Sequence, residues 1–280
     1  MIPAGLVWNE AQLTPEQNQD LKSCLVSLLA KPPGGDLQLV GSAFIVEARG
    51  NRALAITAAH CLEMLSRIVQ PNPLHHASTP REFLPSPRDL DLKAVRAMYL
   101  QGPKVSLCEV ELAIWDEAAD FAALTLKAPG GEADLFRAYL RLDDSVPAVG
   151  DVVTMIGIGD MQVFPGETTE AGKLQQRVVM RIGRVEGIHP AGRILLRSPC
   201  IETSISIYSG MSGGLVAKFA TSGSIAPFAV ISHAPEPQPI LDRAASGHSV
   251  AVVVKMQRAP LADGGQVVAV PMSNVKLGRL

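Results

Sequence analysis

The sequence predicts an all-β protein, folded either as a sandwich or as barrels. Glycine and proline are frequent, with 24 and 21 of the 280 residues, and they divide the chain into many short apolar stretches. Few windows keep a helical period for more than two turns, and turn residues recur between the stretches. Many short strands at this density are typical of sandwiches and barrels rather than of an alternating α/β fold.

The predicted strands are bounded by turn segments such as PPGG (32–35) and APGG (128–131). In chain order they are SCLVSLLA, LQLVGSAFIVEA, ALAITAA, VELAIWDE, FAALTLK, DVVTMIGIG, RVVMRIGRVEGI, RILLRS, GLVAKFA, PFAVISH, SVAVVVKM and QVVAVPM. SCLVSLLA also fits a buried helical turn, and we favour the strand. Three polar segments are predicted to be long loops: PNPLHHASTPREFLPSPRD, GDMQVFPGETTEAGKLQQ and HAPEPQPILDRAASGHS.

Composition and charge argue against several classes of partner. The chain is 47% hydrophobic and 19% charged, with a net charge of −2, which suits one large all-β unit or two small domains. This balance gives no electrostatic reason to expect nucleic acid or an anionic membrane. No apolar run approaches the roughly 18 to 20 residues that span a bilayer. The first twenty residues lack a basic region followed by an apolar core, so no secretory signal is predicted.

The cysteines and the histidine pair predict neither a disulfide framework nor a metal site. None of the cysteine spacings matches a known bridge or zinc pattern, so we expect small buried apolar residues. His75 and His76 lie in a proline-rich polar segment without a third ligand nearby, which favours a solvated loop. With no secretory signal, this cysteine usage predicts a reducing, cytoplasmic location. The four cysteines are Cys24, Cys61, Cys108 and Cys200.

Three segments together could support nucleophilic catalysis by a serine, which needs a base, a carboxylate to orient it and N–H donors for an oxyanion. His60 follows the strand ALAI within TAAHC, where small neighbours allow a sharp turn. Asp120 opens the strand FAALTLK, and Asp116 also precedes it as a second candidate. Ser212 lies in GMSGG, whose glycines permit positive φ and close approach of a substrate.

These segments resemble the chymotrypsin/trypsin-like serine proteases. VGSAFIVEARGNRALAITAAHC, DFAALTL and SGMSGG occur in that family's order of His, Asp and Ser, 60 and 92 residues apart. The resemblance implies two packed antiparallel β-barrels with the active site in the cleft between them. Barrel one would span about residues 21–130 and barrel two about 147–258. An N-terminal extension, 1–20, and a C-terminal segment, 259–280, are not explained by the resemblance.

The resemblance also implies an activity. His60 would be the general base, Asp120 its orienting carboxylate and Ser212 the nucleophile, with the N–H groups of Gly210 and Ser212 forming the oxyanion hole. The protein would then be a serine endopeptidase that acts through an acyl-enzyme and needs no metal or cofactor. Its partners would be a protein or peptide substrate and, through the long loops around the cleft, a regulatory protein.

The resemblance further implies where the substrate binds. The residue six before the nucleophile would form the base of the primary specificity pocket, and it is an uncharged serine. We therefore expect cleavage after small or medium uncharged residues, unless Asp242 reaches the pocket from its loop. The implied substrate contacts are Ser206, Ile207, Ser232, His233, Ala234 and Gly247.

Two departures from the secreted zymogens of that family matter. Met211 stands where those proteins carry an aspartate that pairs with a newly cut N-terminus. Cys61 has no partner cysteine near the segment GSAF (41–44). Activation by N-terminal cutting and secretion are therefore not expected.

Two other functions remain as alternatives. Gly210, Ser212 and Gly214 also match the nucleophile elbow of α/β-hydrolases, with Asp242 and His248 following in that fold's order. The segment after Ser212 lacks the helical period that an elbow requires, which argues against an esterase. The second alternative is a protease-like binding or regulatory module without activity, against which the presence of all three triad residues argues.

Overall fold

A computed structural model describes residues 9–11, 21–30, 37–69, 92–101, 104–143, 145, 147–164, 173–193, 196–207, 210–218, 225–233, 249–253, 257–260, 266–269 and 276–279. The strands in these ranges are β1 Asn9–Ala11, β2 Leu25–Ala30, β3 Gln38–Arg49, β4 Arg52–Thr57, β5 Val95–Gln101, β6 Lys104–Asp116, β7 Phe121–Lys127, β8 Val152–Phe164, β9 Lys173–His189, β10 Cys200–Thr203, β11 Leu215–Lys218, β12 Pro227–His233, β13 Ser249–Val253, β14 Gln257–Pro260, β15 Gln266–Ala269 and β16 Lys276–Arg279. The helices are α1 Ala59–Val69 and two 3₁₀ turns, Leu92–Ala94 and Pro129–Gly131.

The first sheet closes into a six-stranded antiparallel barrel. Its strands pair in the order β6-β5-β2-β3-β4-β7, and β7 pairs again with β6. Ile45, Ala55, Trp115 and Leu124 lie on the inward face of their strands and have no exposed surface. Burying large aromatic and β-branched side chains on the inward face of each strand is the main stabilising contribution to such a barrel.

The second sheet curls in the same way. Its strands pair antiparallel in the order β9-β10-β13-β12-β11-β8, and β8 also pairs with β9. Val153, Met155, Ile205 and Phe228 belong to its core. The predicted fold of two packed antiparallel β-barrels is therefore confirmed.

The barrels pack against each other through strands that are buried on both faces. Met155 and Val216 face the core of barrel two. Their neighbours along the strands, Ile156, Leu215 and Ala217, belong to the core cluster of barrel one. Because side chains alternate between the faces of a strand, β8 and β11 contribute to both cores at once.

The two chain ends each add a strand to the barrel that lies farther away in sequence. β1 pairs with β9 of barrel two, although barrel one begins directly after it in the chain. β16 pairs with β6 of barrel one. The N-terminal extension and the C-terminal segment, which the resemblance left unexplained, therefore both contain sheet strands.

Some local predictions were wrong, and long-range pairing explains the differences. RILLRS was predicted as a strand, but Arg193 and Leu196 form an isolated bridge, with the Leu196 N–H donating to the Arg193 carbonyl at 2.9 Å. The predicted loop GDMQVFPGETTEAGKLQQ instead supplies the ends of β8 and β9, whose cross-strand bonds stabilise a polar segment as a hairpin. Strands β5 and β10 were missed, and SCLVSLLA does contain the favoured strand. Residues 71–89 and 234–248, which hold most of the other two predicted loops, lie outside the described residues.

The described helices are too short or too polar to span a bilayer.

Candidate active site

His60 and Asp120 meet because their strands are neighbours. β4 ends just before His60, β7 begins just after Asp120, and Thr57 of β4 pairs with Ala122 of β7. His60 Nδ1 lies 2.9 Å from Asp120 Oδ2 and 3.0 Å from Oδ1. The backbone N–H of His60 also donates to Oδ1 at 2.9 Å. The carboxylate therefore holds the imidazole in one orientation, with its proton on Nδ1 and Nε2 directed away from the acid.

Asp120, and not Asp116, is the carboxylate at His60. Asp120 has a φ of +49°, a left-handed conformation that aspartate and asparagine tolerate better than most residues. This conformation closes the turn and directs the side chain toward the imidazole. Asp116 Oδ1 instead accepts the N–H groups of Ala118 at 2.9 Å and Ala119 at 3.1 Å. Asp116 therefore stabilises the turn that presents Asp120.

The pKa values of this pair follow from burial and mutual attraction. Burial opposes the charged form of His60, but the Asp120 carboxylate attracts the imidazolium and raises the pKa of His60 well above 6.5. Burial likewise opposes the charge on Asp120. The attraction of His60 and hydrogen bonds from His60 and Ser232 outweigh it and lower the pKa of Asp120. Asp120 therefore stays ionised, and His60 is an unusually strong base for an imidazole.

Ser212 lies in a tight turn between β10 and β11 that is bonded to both barrels. The Ser212 carbonyl accepts the N–H of Ser42 in barrel one at 2.7 Å, and the Gly213 N–H donates to the Ile231 carbonyl at 2.8 Å. A Cβ atom on Gly213 would lie 2.1 Å from the Ser42 carbonyl oxygen, and φ at Gly213 is +80°. Only glycine fits this position, which explains why the nucleophile motif needs a glycine directly after the serine.

Ser232 connects the candidate nucleophile to the acid. The Ser212 hydroxyl donates to the Ser232 carbonyl at 3.0 Å. The Ser232 hydroxyl donates to Asp120 Oδ2. Among the described residues Ser212 Oγ makes no hydrogen bond to His60, and His60 Nε2 contacts Cys61 Sγ at 3.9 Å. His60, Asp120 and Ser212 are thus brought together, with the serine hydroxyl turned toward Ser232.

The geometry around Ser212 leaves two amide donors available. The N–H groups of Gly213 and Gly214 are used within the fold, on Ile231 and Met211. The N–H groups of Gly210 and Ser212 donate to none of the residues that the structure describes. Gly210 has a φ of +95°, and Ser212 is only partly buried, so both amides lie in a turn beside the serine hydroxyl. Two such amides can stabilise a developing oxyanion.

The expected substrate-binding residues are only partly described. Ser206 is fully buried, and its hydroxyl has no hydrogen-bond partner among the residues that the structure describes. Ile207 is 6% exposed and packs in the core of barrel two, so most of its surface serves packing. His233 ends β12, and nothing is described of its side chain. Four other residues named from the sequence lie outside the described ranges: Ala234, Gly247, Asp242 and His248.

Two buried residues near this site were not anticipated from the sequence. Arg181 is 1% exposed, and its Nη1 donates to the Ser206 carbonyl at 2.5 Å. In the sequence, Arg181 could have been recognised as a charged residue at an inward position of the alternating strand RVVMRIGRV. Ser42 bonds to the nucleophile turn, and its signal was a polar residue inside the apolar run LVGSAFIV.

The four cysteines are buried, as predicted, and none forms a disulfide with another. No group of three or more metal-binding side chains occurs among the residues in the described ranges.

Solved structures and one family model are similar to this chain. The chain is similar to the active form of the Rv3671c protease from M. tuberculosis, with 14% identity, a TM-score of 0.48, and 90% of this chain and 88% of that chain covered. It is also similar to the inactive serine-to-alanine mutant of that protein, with 14% identity, a TM-score of 0.44 and coverage of 88% and 91%. No curated protein matches the chain. The family model for the trypsin-like peptidase domain matches residues 41–224, a stretch that contains His60, Asp120 and Ser212. The chain therefore belongs to the family of trypsin-like peptidase domains.

Proposed function

We propose that this protein is a serine endopeptidase that uses Ser212, His60 and Asp120. The observation that supports this most strongly is the buried Asp120 carboxylate bonded both to His60 Nδ1 at 2.9 Å and to the Ser232 hydroxyl. An ionised acid in this position favours the imidazolium that forms when the histidine takes a proton. Membership of a peptidase family supports the same function, as do the N–H groups of Gly210 and Ser212, which donate to none of the described residues.

The reaction needs one rotation of the Ser212 hydroxyl and four proton transfers. The hydroxyl turns from the Ser232 carbonyl to His60 Nε2, which removes its proton as Oγ attacks a peptide carbonyl carbon. The N–H groups of Gly210 and Ser212 stabilise the oxyanion. His60 then gives its proton to the leaving amine as the peptide bond breaks, and the acyl group stays on Ser212. Water attacks this ester while His60 takes a proton from it, and His60 returns that proton to Ser212 Oγ as the acid product leaves.

A fluorophosphonate probe tests this function directly, because only an activated serine reacts with it. We expect wild-type protein to be labelled on Ser212 and to cleave a proteome-derived peptide mixture. Ser212→Ala and His60→Ala should lose both properties and keep the wild-type fold by circular dichroism. Wild-type protein that is folded but neither labelled nor active would instead support a binding or regulatory module. Label on Ser212 that persists in Asp120→Ala with undiminished rate would support a different catalytic arrangement.

The environment of Ser206 bears on which bond is cut. We propose cleavage after small or medium uncharged residues, with Ser206 at the base of the pocket and Ser232, His233, Ala234 and Gly247 contributing the substrate strand and walls. The Arg181 guanidinium donates to the Ser206 carbonyl and so brings a positive charge next to Ser206. A substrate lysine or arginine would meet this charge without a carboxylate to neutralise its own, which costs several kcal/mol.

Activation should not depend on a new N-terminus. Met211 is fully buried in the core of barrel two, where apolar packing holds the turn before Ser212. A thioether cannot form the ion pair that N-terminal cutting creates in zymogens of the family.

We further propose that the protein acts in the cytoplasm, on a protein or peptide substrate, and that a regulatory protein binds the loops around the cleft.

A further inference from the structure

Ser42 makes four hydrogen bonds at the junction of the two barrels. It lies on β3 and is fully buried. Its N–H donates to the Ser212 carbonyl at 2.7 Å, and its hydroxyl donates to the Gly210 carbonyl at 2.6 Å. The same hydroxyl accepts the N–H of Ile158 in barrel two at 2.8 Å. The Ser42 carbonyl accepts the Thr57 hydroxyl at 2.7 Å, so that every polar group of the residue is used.

These bonds fix two peptide planes that determine the shape of the oxyanion hole. The Gly210 carbonyl belongs to the peptide that follows the Gly210 amide, and the Ser212 carbonyl to the peptide that follows the Ser212 amide. Gly210 is a glycine with φ at +95°, so its own backbone offers little resistance to rotation. The Ser42 hydroxyl, on β3 of barrel one, restrains this rotation by its hydrogen bond to the Gly210 carbonyl.

Among the described residues, the other bonds of the turn act on carbonyls other than that of Gly210. The Met211 carbonyl accepts the N–H of Gly214 at 2.9 Å, and the Met211 side chain packs in the core of barrel two. Cys61 Sγ approaches the Ser212 carbonyl at 3.6 Å, a weak contact that leaves Gly210 untouched. Within the part of the chain that the structure describes, the Ser42 hydroxyl is therefore the donor that orients the Gly210 carbonyl.

We propose that Ser42 is a positioning residue that holds the oxyanion hole in its reactive shape from barrel one, in a chain that lacks the aspartate of the zymogen mechanism. This inference rests on the proposed peptidase function. Ser42 does not touch the substrate, and it acts through Gly210 and Ser212. The barrels must consequently be docked for the hole to be formed, because the donor and the amides belong to different barrels.

The chain provides a matched control for this proposal. Ser27 is directly opposite Ser42 in the pairing of β2 with β3 and is also fully buried. Among the described residues the Ser27 hydroxyl has no hydrogen-bond partner. Ser27→Ala therefore removes a buried hydroxyl from the same barrel without removing a hydrogen bond to the described part of the nucleophile turn.

Ser42→Ala should lower kcat by about 10- to 100-fold, a decrease no larger than the one caused by removing an oxyanion donor. KM should change by about 2-fold or less. Binding of a peptide aldehyde, whose adduct carries the oxyanion, should weaken in parallel with kcat. The acid limb of the pH profile should not move, because the His60–Asp120 pair is intact. Ser42→Thr keeps the hydroxyl and should restore most of kcat, and Ser27→Ala should stay within about 2-fold of wild type.

The outcomes separate this proposal from the function on which it rests. A folded Ser42→Ala protein with kcat and aldehyde affinity within about 2-fold of wild type overturns the role of Ser42. Equal losses in Ser42→Ala and Ser27→Ala also overturn it, because they would show only a general cost of altering the barrel. If Ser42→Ala does not fold, Ser42→Thr provides the test. A Ser42→Thr protein that folds and is labelled on Ser212, but whose kcat is as low as that of an oxyanion-hole mutant, overturns the role of Ser42. Wild-type protein that is not labelled on Ser212 overturns the proposed function, whatever Ser42 does.

Discussion

The hydroxyl of Ser212 donates a 3.0 Å hydrogen bond to the carbonyl oxygen of Ser232. Ser232 also donates its own hydroxyl to Asp120, so one residue of β12 contacts the candidate nucleophile and the candidate acid. Ser232 is fully buried, and it lies at an irregularity of β12 between Ile231 and His233, the two residues that pair with β13. A substrate strand that pairs with the Ser232 carbonyl would compete for this bond and release the Ser212 hydroxyl toward His60.

Replacing Asp120 by asparagine should reduce kcat by about 10⁴-fold, the size of loss that this change causes in Ser-His-Asp proteases. Asparagine tolerates the φ of +49° at this position, so folding should be preserved. Asp116→Asn is the matched control, since its amide oxygen can still accept the Ala118 and Ala119 N–H groups, and it should cost only a few-fold. Steady-state rates of both variants decide the point. A larger loss of kcat in Asp116→Asn than in Asp120→Asn would show that Asp116, and not Asp120, is the catalytic carboxylate.

The pH dependence of kcat/KM should have its acid limb above pH 6.5. His60 must be neutral to accept a proton, and Asp120 raises its pKa, so activity is lost as pH falls through that raised value. Asp120→Asn removes the attraction and should shift the limb to lower pH. The ion pair of His60 and Asp120 also contributes to the free energy of unfolding. This contribution is lost as pH rises above the folded-state pKa of His60, and it is lost at low pH as Asp120 becomes protonated. Rates of fluorophosphonate labelling across pH measure the limb, and a limb below pH 6.5 would contradict the interaction.

Gly213→Ala should destabilise the protein by on the order of 4 kcal/mol or more, because the new Cβ would lie 2.1 Å from the Ser42 carbonyl and 2.2 Å from the Thr57 hydroxyl. Gly150→Ala is the control. Its φ of +91° is similar, but no atom lies within 4 Å of the added Cβ. It should therefore cost only the backbone strain of about 1–2 kcal/mol. Urea unfolding of both variants gives the comparison, and equal losses would show that strain alone decides.

Cleavage-site profiling on a proteome-derived peptide library should show a broad preference for residues such as Ala, Val, Leu or Met before the cut bond. Apolar pockets discriminate by only about 1 to 3 kcal/mol per methylene, so the preference should not be strict. Lysine and arginine should be rare at this position because Ser206 has no charge to neutralise theirs and Arg181 donates to the Ser206 carbonyl. A dominant preference for lysine or arginine would mean that an acid such as Asp242 lines the pocket.

Activity should not require removal of the first residues of the chain. Met211 packs in the core of barrel two and cannot form an ion pair with a new N-terminus. Mass spectrometry of protein labelled on Ser212 should find chains with and without N-terminal trimming labelled alike. Label confined to trimmed chains would show that cutting does activate the protein, through some contact other than that ion pair.

The sequence alone determined the fold class and the order of the three motifs. Short apolar segments between glycine and proline turns predict strands because the side-chain period and turn chemistry are local properties. The same locality explains the correct prediction of Leu25–Ala30 as a strand and of buried cysteines. It also explains the errors at β5, β10 and RILLRS, where pairing with a distant strand decides whether a short segment is extended.

The tertiary structure decided which residues meet. Asp116 and Asp120 precede the same strand, and only the turn geometry, with Asp120 at positive φ, directs one carboxylate to His60 and leaves the other in the turn. Ser42 contacts Gly210 across 168 residues, and Arg181 reaches Ser206 across 25, through bonds that no local pattern encodes. Such contacts depend on how two barrels are docked and which face of each strand is inward. Those two features arise only when the whole chain has buried its apolar surface.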